Sequence, residues 1–442
     1  MIDRESLLEA VRASSLFHLS LSKPRGPKNA KSLSLEKVGS DALLLSESTL
    51  CPIELCAPPF NLLLAEENQE SISDLNYCRG VQELWAILAG QFSCRIVCRA
   101  ARIDAGPKRE SRVRILFAKH AAVKKGGQQE RNLQQNTPKM GKSITNALDA
   151  DGRSLSAGPY SMGWITVKEN GISYSFDITR VMFCSGNVTE RTRMASPPIR
   201  DIDTESSEVI VDLYAGIGYY TIPFLLYHTR TTHVHCCEWN KDSLVALRFN
   251  LEANGVDPAR YTIHAGDNRA TMGVSVPSNT QDIVGGSGLG QGSSTQSYEN
   301  TDLSGDALDD KIIDDLRKGQ SPLHGVADRV NLGLIPSSKQ GWPLAVAALK
   351  PSGGWVHVHD NVKDTDIEVW AEALCSRFST LGEMIWRDMS RFEGGIVVKK
   401  SNIAWGGWTV QCKHIERVKS YAPHVVHVVA DLWIEETQLA QN

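Results

Sequence analysis

Polar residues stand at the ends of short apolar runs in this chain, and their types are those that bind nucleosides. The run VIVDLYAGIGYY contains Asp212, followed by Gly216 and Gly218. Glycines in a strand-to-helix turn permit positive φ and let a ligand approach backbone N–H groups closely. Taken alone, this turn is equally compatible with a tight connection that binds nothing.

Two further run ends favour a ligand site. Glu238 ends VHCCE, where an acid is placed to accept hydrogen bonds from both hydroxyls of a ribose. Asp267 and Asn268 follow IHAG, where a carboxylate can pair with an adenine amino group. Each could be a helix cap or a solvated acid, but together they predict one adenosyl site. Because G-x-G-x-x-G is incomplete, the D-x-x-x-G-x-G spacing favours S-adenosylmethionine over NAD.

A fourth run ends in NLGLIPSS, which places Asn331 where base-modifying methyltransferases carry an Asn-Pro-Pro-aromatic turn. That turn holds a flipped base by hydrogen bonds and stacking. Here Leu332 and Gly333 replace the two prolines, and Leu334 replaces the aromatic residue. A simple amino-methyltransferase is therefore disfavoured, while Asn331 remains the candidate next to the reacting groups.

The elements that carry these residues alternate between strand and helix. Crossovers of this length imply parallel strands with helices on both faces. We therefore predict an α/β fold: a class I S-adenosylmethionine-dependent methyltransferase-like (Rossmann-like) doubly wound sheet, closed by an antiparallel pair over 408–418 and 425–433. The predicted strands are 209–214, 233–237, 261–265, 328–332 and 354–359, and the predicted helices are 219–227, 242–254, 342–349 and 367–378.

Composition shifts divide the chain into four regions. Pro, Ser, Gly and Lys are concentrated near the N-terminus and in two internal stretches, 124–160 and 272–327, which favours solvated insertions. The predicted regions are a flexible basic segment 1–42, a smaller N-terminal α+β domain 43–160 that contacts RNA, a hairpin and connector 161–200, and a catalytic domain 201–442 with a disordered insertion 272–327.

Residues 95–131 carry a local positive charge. Eleven basic residues face three acidic ones there, a net charge of +8, whereas the whole chain of 442 residues has −4. Such a strip suits phosphate neutralisation, but basic residues alternating with apolar ones are also typical of a solvated sheet face. Any nucleic-acid contact must come from a local surface of this kind, because the overall charge does not favour it.

Several classes of protein are disfavoured by composition. With 41% hydrophobic residues the chain has enough apolar material for a sizeable core. No run reaches the roughly 18 apolar residues of a membrane helix, and the N-terminus does not resemble a signal peptide. A soluble cytoplasmic protein is expected. Ten cysteines without a C-x-x-C pair favour free thiols over a metal site, and His357, His359, His424 and His427 are interpreted as core or surface residues.

Several longer motifs resemble one enzyme family. They are FCSGNVTERTR, DLYAGIGYYTIPF, CEWNKDSLVALRFNLEANGV, DRVNLGLIPSSKQGW, GGWVHVHDNV and VKSYAPHVVHVVAD. These strings are similar to the tRNA wybutosine-synthesis aminocarboxypropyltransferases, which are related to the tRNA guanine-N1 methyltransferases. The resemblance is dense over 160–435 and thinner over 84–116. Where the family has two serines this chain has Cys184 and Ser185, and Arg191 replaces a lysine.

The resemblance implies a reaction as well as a fold. It implies transfer of the 3-amino-3-carboxypropyl group of S-adenosylmethionine to C7 of 4-demethylwyosine in phenylalanine tRNA. It also implies that Arg191 pairs with the methionine carboxylate and that Cys184 belongs to the same site, in place of a serine. A guanine-N1 methyltransferase and a noncatalytic RNA-binding protein on the same fold remain the alternatives.

Overall fold

The chain divides into two compact units, Met1–Phe183 and Cys184–Asn442. The division falls inside the region 161–200 that the sequence treats as one connector. Most of the predicted insertion 124–160, residues 124–157 and 160, lies outside the described residues, as does Cys184. The computed structural model describes residues 32–38, 42–48, 85–90, 93–99, 111, 113–118, 158–159, 161–183, 185–195, 207–276, 305–318, 321–387, 391–393, 396–398 and 406–437.

The N-terminal unit contains a mixed four-stranded sheet. Its strands are β1 (Ser32–Val38), β2 (Ala42–Ser48), β3 (Ile96–Arg99) and β4 (Arg114–Ala118), hydrogen-bonded in that order, and a helix, α1, covers 85–90. Strands β3 and β4 lie within the basic stretch 95–131, where basic residues alternate with apolar ones as on a sheet face. The expected flexible segment 1–42 is wrong for β1, because Leu33 and Leu35 alternate with polar residues at the strand period.

The predicted hairpin is confirmed. It consists of β5 (Trp164–Glu169) and β6 (Ile172–Asp177), which pair antiparallel. Asn170 and Gly171 both have positive φ, as a two-residue hairpin turn requires.

The C-terminal unit is built around a seven-stranded sheet of order β9-β8-β7-β10-β11-β15-β14. The first five are parallel, and β15 is antiparallel to both of its neighbours. This is the predicted doubly wound, methyltransferase-like sheet with its antiparallel closing pair. The strands are β7 (Glu208–Asp212), β8 (Thr231–Glu238), β9 (Tyr261–Ala265), β10 (Arg329–Leu332), β11 (Gly353–Lys363), β14 (Trp408–Ala422) and β15 (Val425–Glu436); a separate short hairpin pairs β12 (Arg391–Glu393) with β13 (Ile396–Val398).

Helices connect these strands as the sequence predicts. The Asn240 side chain accepts hydrogen bonds from the N–H groups of Asp242 and Ser243, which fixes the start of the fourth helix. The helices are α2 (Val188–Met194), α3 (Thr221–Tyr227), α4 (Lys241–Ala253), α5 (Asn268–Thr271), α6 (Gly305–Lys318), α7 (Trp342–Ala348) and α8 (Ile367–Trp386).

Helix α6 corrects the expectation for 272–327. That stretch was expected to be a disordered surface insertion, but its acidic part is an amphipathic helix. Ile312, Ile313 and Leu316 are buried in one core cluster with residues of α7, α8 and the sheet. The many aspartates lie between these apolar positions, so average composition conceals the buried stripe.

Truncation of this stripe tests the correction. Leu316→Ala is expected to lower the free energy of unfolding by about 2–5 kcal/mol, because it leaves a cavity in the core. Asp314→Ala on the exposed face of the same helix, which breaks the pair with Lys318, is the control and should shift the denaturation midpoint far less. Equal urea midpoints for both variants would show that α6 does not pack as described.

No helix in the described part of the chain is long and apolar enough to cross a membrane. The cysteines placed by the structure are free thiols, and burial raises the pKa of several of them. They are Cys94, Cys98, Cys236, Cys237, Cys375 and Cys412.

Candidate functional site

The predicted site residues meet at the carboxyl ends of the parallel strands. Strand β7 lies between β8 and β10, so the chain order reverses on either side of it. Open α/β sheets bind ligands at such a switch point, where the loops leaving neighbouring strands diverge. The loops after β7, β8, β9 and β10 carry the acids, amides and glycines identified in the sequence.

The turn after β7 requires both of its glycines. Gly216 has φ +57° and Gly218 has φ +97°, values that residues other than glycine rarely adopt. A Cβ on Gly218 would stand 2.8 Å from Ile222 Cδ1 and 3.1 Å from Leu247 Cδ1. The turn therefore packs closely against α3 and α4, as glycine spacing predicts for a nucleotide-binding turn.

Glu238 joins the ends of β7 and β8. Its Oε2 accepts a 2.8 Å hydrogen bond from the Gly216 N–H, and its Oε1 accepts one of 2.6 Å from the Asn240 N–H. Burial raises the pKa of Glu238 to about 6, although the backbone hydrogen bonds oppose the shift. Each carboxylate oxygen has a second lone pair, so Glu238 can hold the turn and still accept hydrogen bonds from a ribose.

The two residues predicted to contact adenine are engaged with the protein. Asp267 accepts a 2.9 Å hydrogen bond from the Arg269 N–H at the start of α5 and forms a 2.6 Å ion pair with the Arg269 guanidinium. Asn268 Nδ2 donates to the Leu213 carbonyl at 3.1 Å. These contacts place both side chains beside the loop after β7. Their contact with adenine remains a prediction.

Asp212 supports the site from inside the sheet. It is fully buried, and burial raises its pKa. Its Oδ2 accepts from Thr221 Oγ1 at 2.7 Å, and its Oδ1 accepts from Asn331 Nδ2 at 3.0 Å. The sequence predicted a cofactor contact for Asp212. Because its side chain is fully buried, its influence on a ligand runs through the neighbours that it orients.

Asn331 carries a buried carbonyl oxygen at the end of β10. The Asp212 bond fixes the amide so that Oδ1 is the remaining polar atom, and within the described residues this buried oxygen has no hydrogen-bond partner. A Cβ on Gly333 would stand 3.2 Å from both Asn331 Nδ2 and the Tyr220 ring. A donor from a bound group would satisfy Oδ1, since buried polar atoms are rarely left without partners.

Arg191 lies on α2, beside the turn after β7. Its side chain is buried, and its guanidinium carbon lies 5.2 Å from the centre of the Tyr219 ring. Tyr219 follows Gly218, and its ring is 3.2 Å from the position of a Cβ on Gly216. The predicted cation and the predicted turn are thus adjacent.

A buried polar chain that the sequence did not predict crosses the sheet near Arg191. It runs from Glu190 and Arg193 on α2 to Asp431, His357, Arg329 and Glu208. The His-x-His pattern was interpreted as core or surface, and His357 is in the core. Its partner is 74 residues away in sequence, so no local signal could reveal the pair.

A sheet of this order with a glycine turn and an acid at the next strand end defines a class I S-adenosylmethionine-dependent methyltransferase-like fold. Residues 165–283 match the TRM5/TYW2 methyltransferase domain. The P. horikoshii TYW2 structure in complex with MeSAdo shares the fold, with a TM-score of 0.51 at 17% identity over 98% of this chain and 100% of that one.

Within that class the resemblance to the wybutosine-synthesis enzymes is confirmed. The tRNA wybutosine-synthesizing protein 2 homolog of Danio rerio is 38% identical over 282 residues, 61% of this chain and 54% of that protein. The Bos taurus homolog is 34% identical over 328 residues, 67% of this chain and 61% of that protein. The chain thus spans about half the length of the first of these relatives.

Glu238→Gln tests the ribose assignment. We expect adenosine to bind roughly tenfold or more weakly, because a hydrogen bond to a charged acceptor is worth about 1.5–3 kcal/mol. In the unsubstituted protein, affinity should be constant above the pKa of about 6 and fall below it as Glu238 is protonated; the variant should lose this dependence. Isothermal titration between pH 5 and 8 measures both effects.

Glu252→Gln, on the exposed side of α4, is the matched control and should change neither the affinity nor its pH dependence. Unchanged adenosine affinity in Glu238→Gln would remove the ribose assignment.

Proposed function

We propose that this protein transfers the 3-amino-3-carboxypropyl group of S-adenosylmethionine to C7 of 4-demethylwyosine, beside the anticodon of phenylalanine tRNA. The observation that carries the proposal is the adjacency of a nucleoside-binding turn and a buried cation: Gly216 is bonded to Glu238, and Arg191 lies over Tyr219 of the same turn. A nucleoside with an amino-acid tail requires both features in one place.

Each end of the donor has a matching group. Glu238 would accept from the ribose, while Asp267 and Asn268 would line the adenine. Arg191 carries a permanent charge in a planar donor array, which suits a carboxylate. Asn331 Oδ1 would accept a hydrogen bond from the ammonium group or from the acceptor base. Cys184 stays a candidate from the sequence.

The chemistry is a displacement at carbon. Three carbons adjoin the sulfonium of the donor, and the one held in line with the nucleophile reacts. Carbon–carbon bond formation at the γ-carbon breaks the carbon–sulfur bond, whose electrons neutralise the sulfonium, and the base then loses a proton. The contribution of the protein is orientation: Arg191 turns the amino-acid tail, and Asn331 faces the incoming base from the end of β10.

The names of the relatives support tRNA as the partner and wybutosine synthesis as the pathway. The phenylalanine acceptor follows from the motif resemblance. The basic strip 95–131 in the N-terminal unit would supply phosphate contacts, and the predicted domains 43–160, 161–200 and 201–442 would divide RNA contact from catalysis. The cytoplasm is the expected location.

Product mass tests the proposal directly. The protein is incubated with S-adenosylmethionine and tRNA from cells blocked at the aminocarboxypropyl transfer step. The tRNA is then digested, and the masses of the nucleosides are measured by mass spectrometry. We expect 4-demethylwyosine to gain one aminocarboxypropyl unit. A gain of one methyl group would assign a methyltransferase instead. An unmodified nucleoside together with no heat of binding for S-adenosylmethionine would assign a noncatalytic protein.

Arg191→Ala tests the carboxylate assignment. Affinity for S-adenosylmethionine should fall about tenfold or more, since a charged hydrogen bond is lost, while affinity for adenosine, which has no carboxylate, should change little. Arg191→Lys keeps the charge without the planar fork and should lie between the two. Equal losses for both ligands would contradict the assignment.

A further inference from the structure

Arg193 bonds helix α2 to the sheet. The guanidinium of Arg193 donates to Asp431 Oδ2 at 2.6 Å and Oδ1 at 3.2 Å. The same group donates to Glu190 at 2.7 Å through both Nε and NH2. One arginine is thus bound to two buried carboxylates, one on its own helix and one on β15.

Asp431 is itself fixed by a second buried residue. His357 Nδ1 lies 2.6 Å from Asp431 Oδ1, and His357 Nε2 lies 2.8 Å from Arg329 NH1. Because arginine only donates, Nε2 must accept, and Nδ1 carries the proton that binds Asp431. Burial lowers the pKa of His357 to about 4, so the ring is neutral at pH 7.

The far end of this chain lies on β7. Arg329 Nε donates to Glu208 Oε1 at 2.6 Å. The chain of contacts therefore passes from α2 through β15, β11 and β10 to β7. Of these strands, β10 holds Asn331 near its end, and β7 leads into the turn with Gly216. This chain of contacts fixes the position of α2, which carries Arg191, relative to the strands that carry the rest of the site.

The short length of α2 makes this anchor necessary. Seven residues are too few for a helix to be stable on its own, so its position depends on tertiary contacts. Arg191 and Arg193 are two positions apart and point to roughly opposite sides of the helix. Holding Arg193 on the sheet therefore fixes the direction in which Arg191 projects, against Tyr219.

Stability alone does not account for the arrangement. A buried ion pair often contributes no more than well-packed apolar residues of the same volume, because desolvation offsets the attraction. The pairing does fix geometry, since a guanidinium bound to two carboxylates has few alternative orientations.

We propose that Arg193 and Asp431 are positioning residues that set the place of Arg191, and through it decide which carbon of the sulfonium donor faces the acceptor base. The proposal rests on the proposed function, because it requires a donor with more than one transferable group. A displacement of about 1 Å can cost on the order of 100-fold in rate, and here it would also change which of three carbons is aligned.

The test uses Asp431→Asn, which keeps the shape and removes the charge, and Arg193→Lys, which keeps the charge and removes the fork. For Asp431→Asn we expect kcat for aminocarboxypropyl transfer to fall about 10- to 100-fold and the ratio of methylated to aminocarboxypropylated nucleoside to rise. Affinity for adenosine should stay within about twofold, because the turn after β7 is unchanged. Arg193→Lys keeps the charge, so its kcat should fall less than that of Asp431→Asn.

The matched control is Lys350→Met. It breaks the 2.5 Å pair between Lys350 and Asp328, which lies at the opposite ends of the strands. It should leave rate, product ratio and adenosine affinity unchanged.

The inference is overturned if folded Asp431→Asn keeps the rate and product ratio of the unsubstituted protein. It is also overturned if affinities for adenosine and S-adenosylmethionine fall in equal proportion, which indicates a structural role. If the unsubstituted protein transfers no aminocarboxypropyl unit, the proposed function fails, and the ratio of the two affinities still decides whether Arg193 and Asp431 position Arg191.

Discussion

The site depends on the hydrogen bond from the Gly216 N–H to the Glu238 carboxylate. It joins the loops that leave β7 and β8, so the turn and the acid have one relative position rather than two. Gly216, the donor, has a positive φ, a conformation that glycine adopts without steric cost. Tyr219 belongs to the same turn, and its ring contacts the guanidinium of Arg191. Cofactor binding and placement of the cation therefore share one local constraint.

A row of polar residues extends that constraint across the sheet. Asp212, Asn331, His357 and Asp431 occupy paired positions on four neighbouring strands, so their side chains project from the same face. Central parallel strands are usually apolar on both faces. Here the cost of burying polar groups is offset by specific bonds, Asp212 to Asn331 and His357 to Asp431. In this row, directional hydrogen bonds that fix the geometry of the side chains replace apolar packing.

Local patterns were sufficient to predict most of the fold. The hairpin turn at Asn170 and Gly171 and the alternation of strands and helices depend on neighbours in sequence. The position of α6 depends on partners far along the chain, and its aspartates dominated the composition. Distance in sequence thus decided what could be predicted.

The candidate site divides in the same way. Acids and amides at strand ends could be identified because the fold places all such ends at one edge. The sequence could not show which atoms of these side chains remain available to a ligand, because that depends on contacts such as the ion pair of Asp267 with Arg269. The bond between Arg193 and Asp431 spans 238 residues and left no pattern that a single sequence could show.

The choice between transferable groups must come from outside the shared fold, because the same architecture serves different reactions. The loop after β10 does not supply it through rigid prolines: Leu334 N–H donates to the Leu332 carbonyl at 2.9 Å, and the chain turns at Gly333. Packing around Gly333 is close, and Asn331 at the end of β10 contributes one buried amide oxygen. Under the proposed function, orientation of the donor then falls to Arg191 on α2, the short helix whose Arg193 is bound to two buried carboxylates.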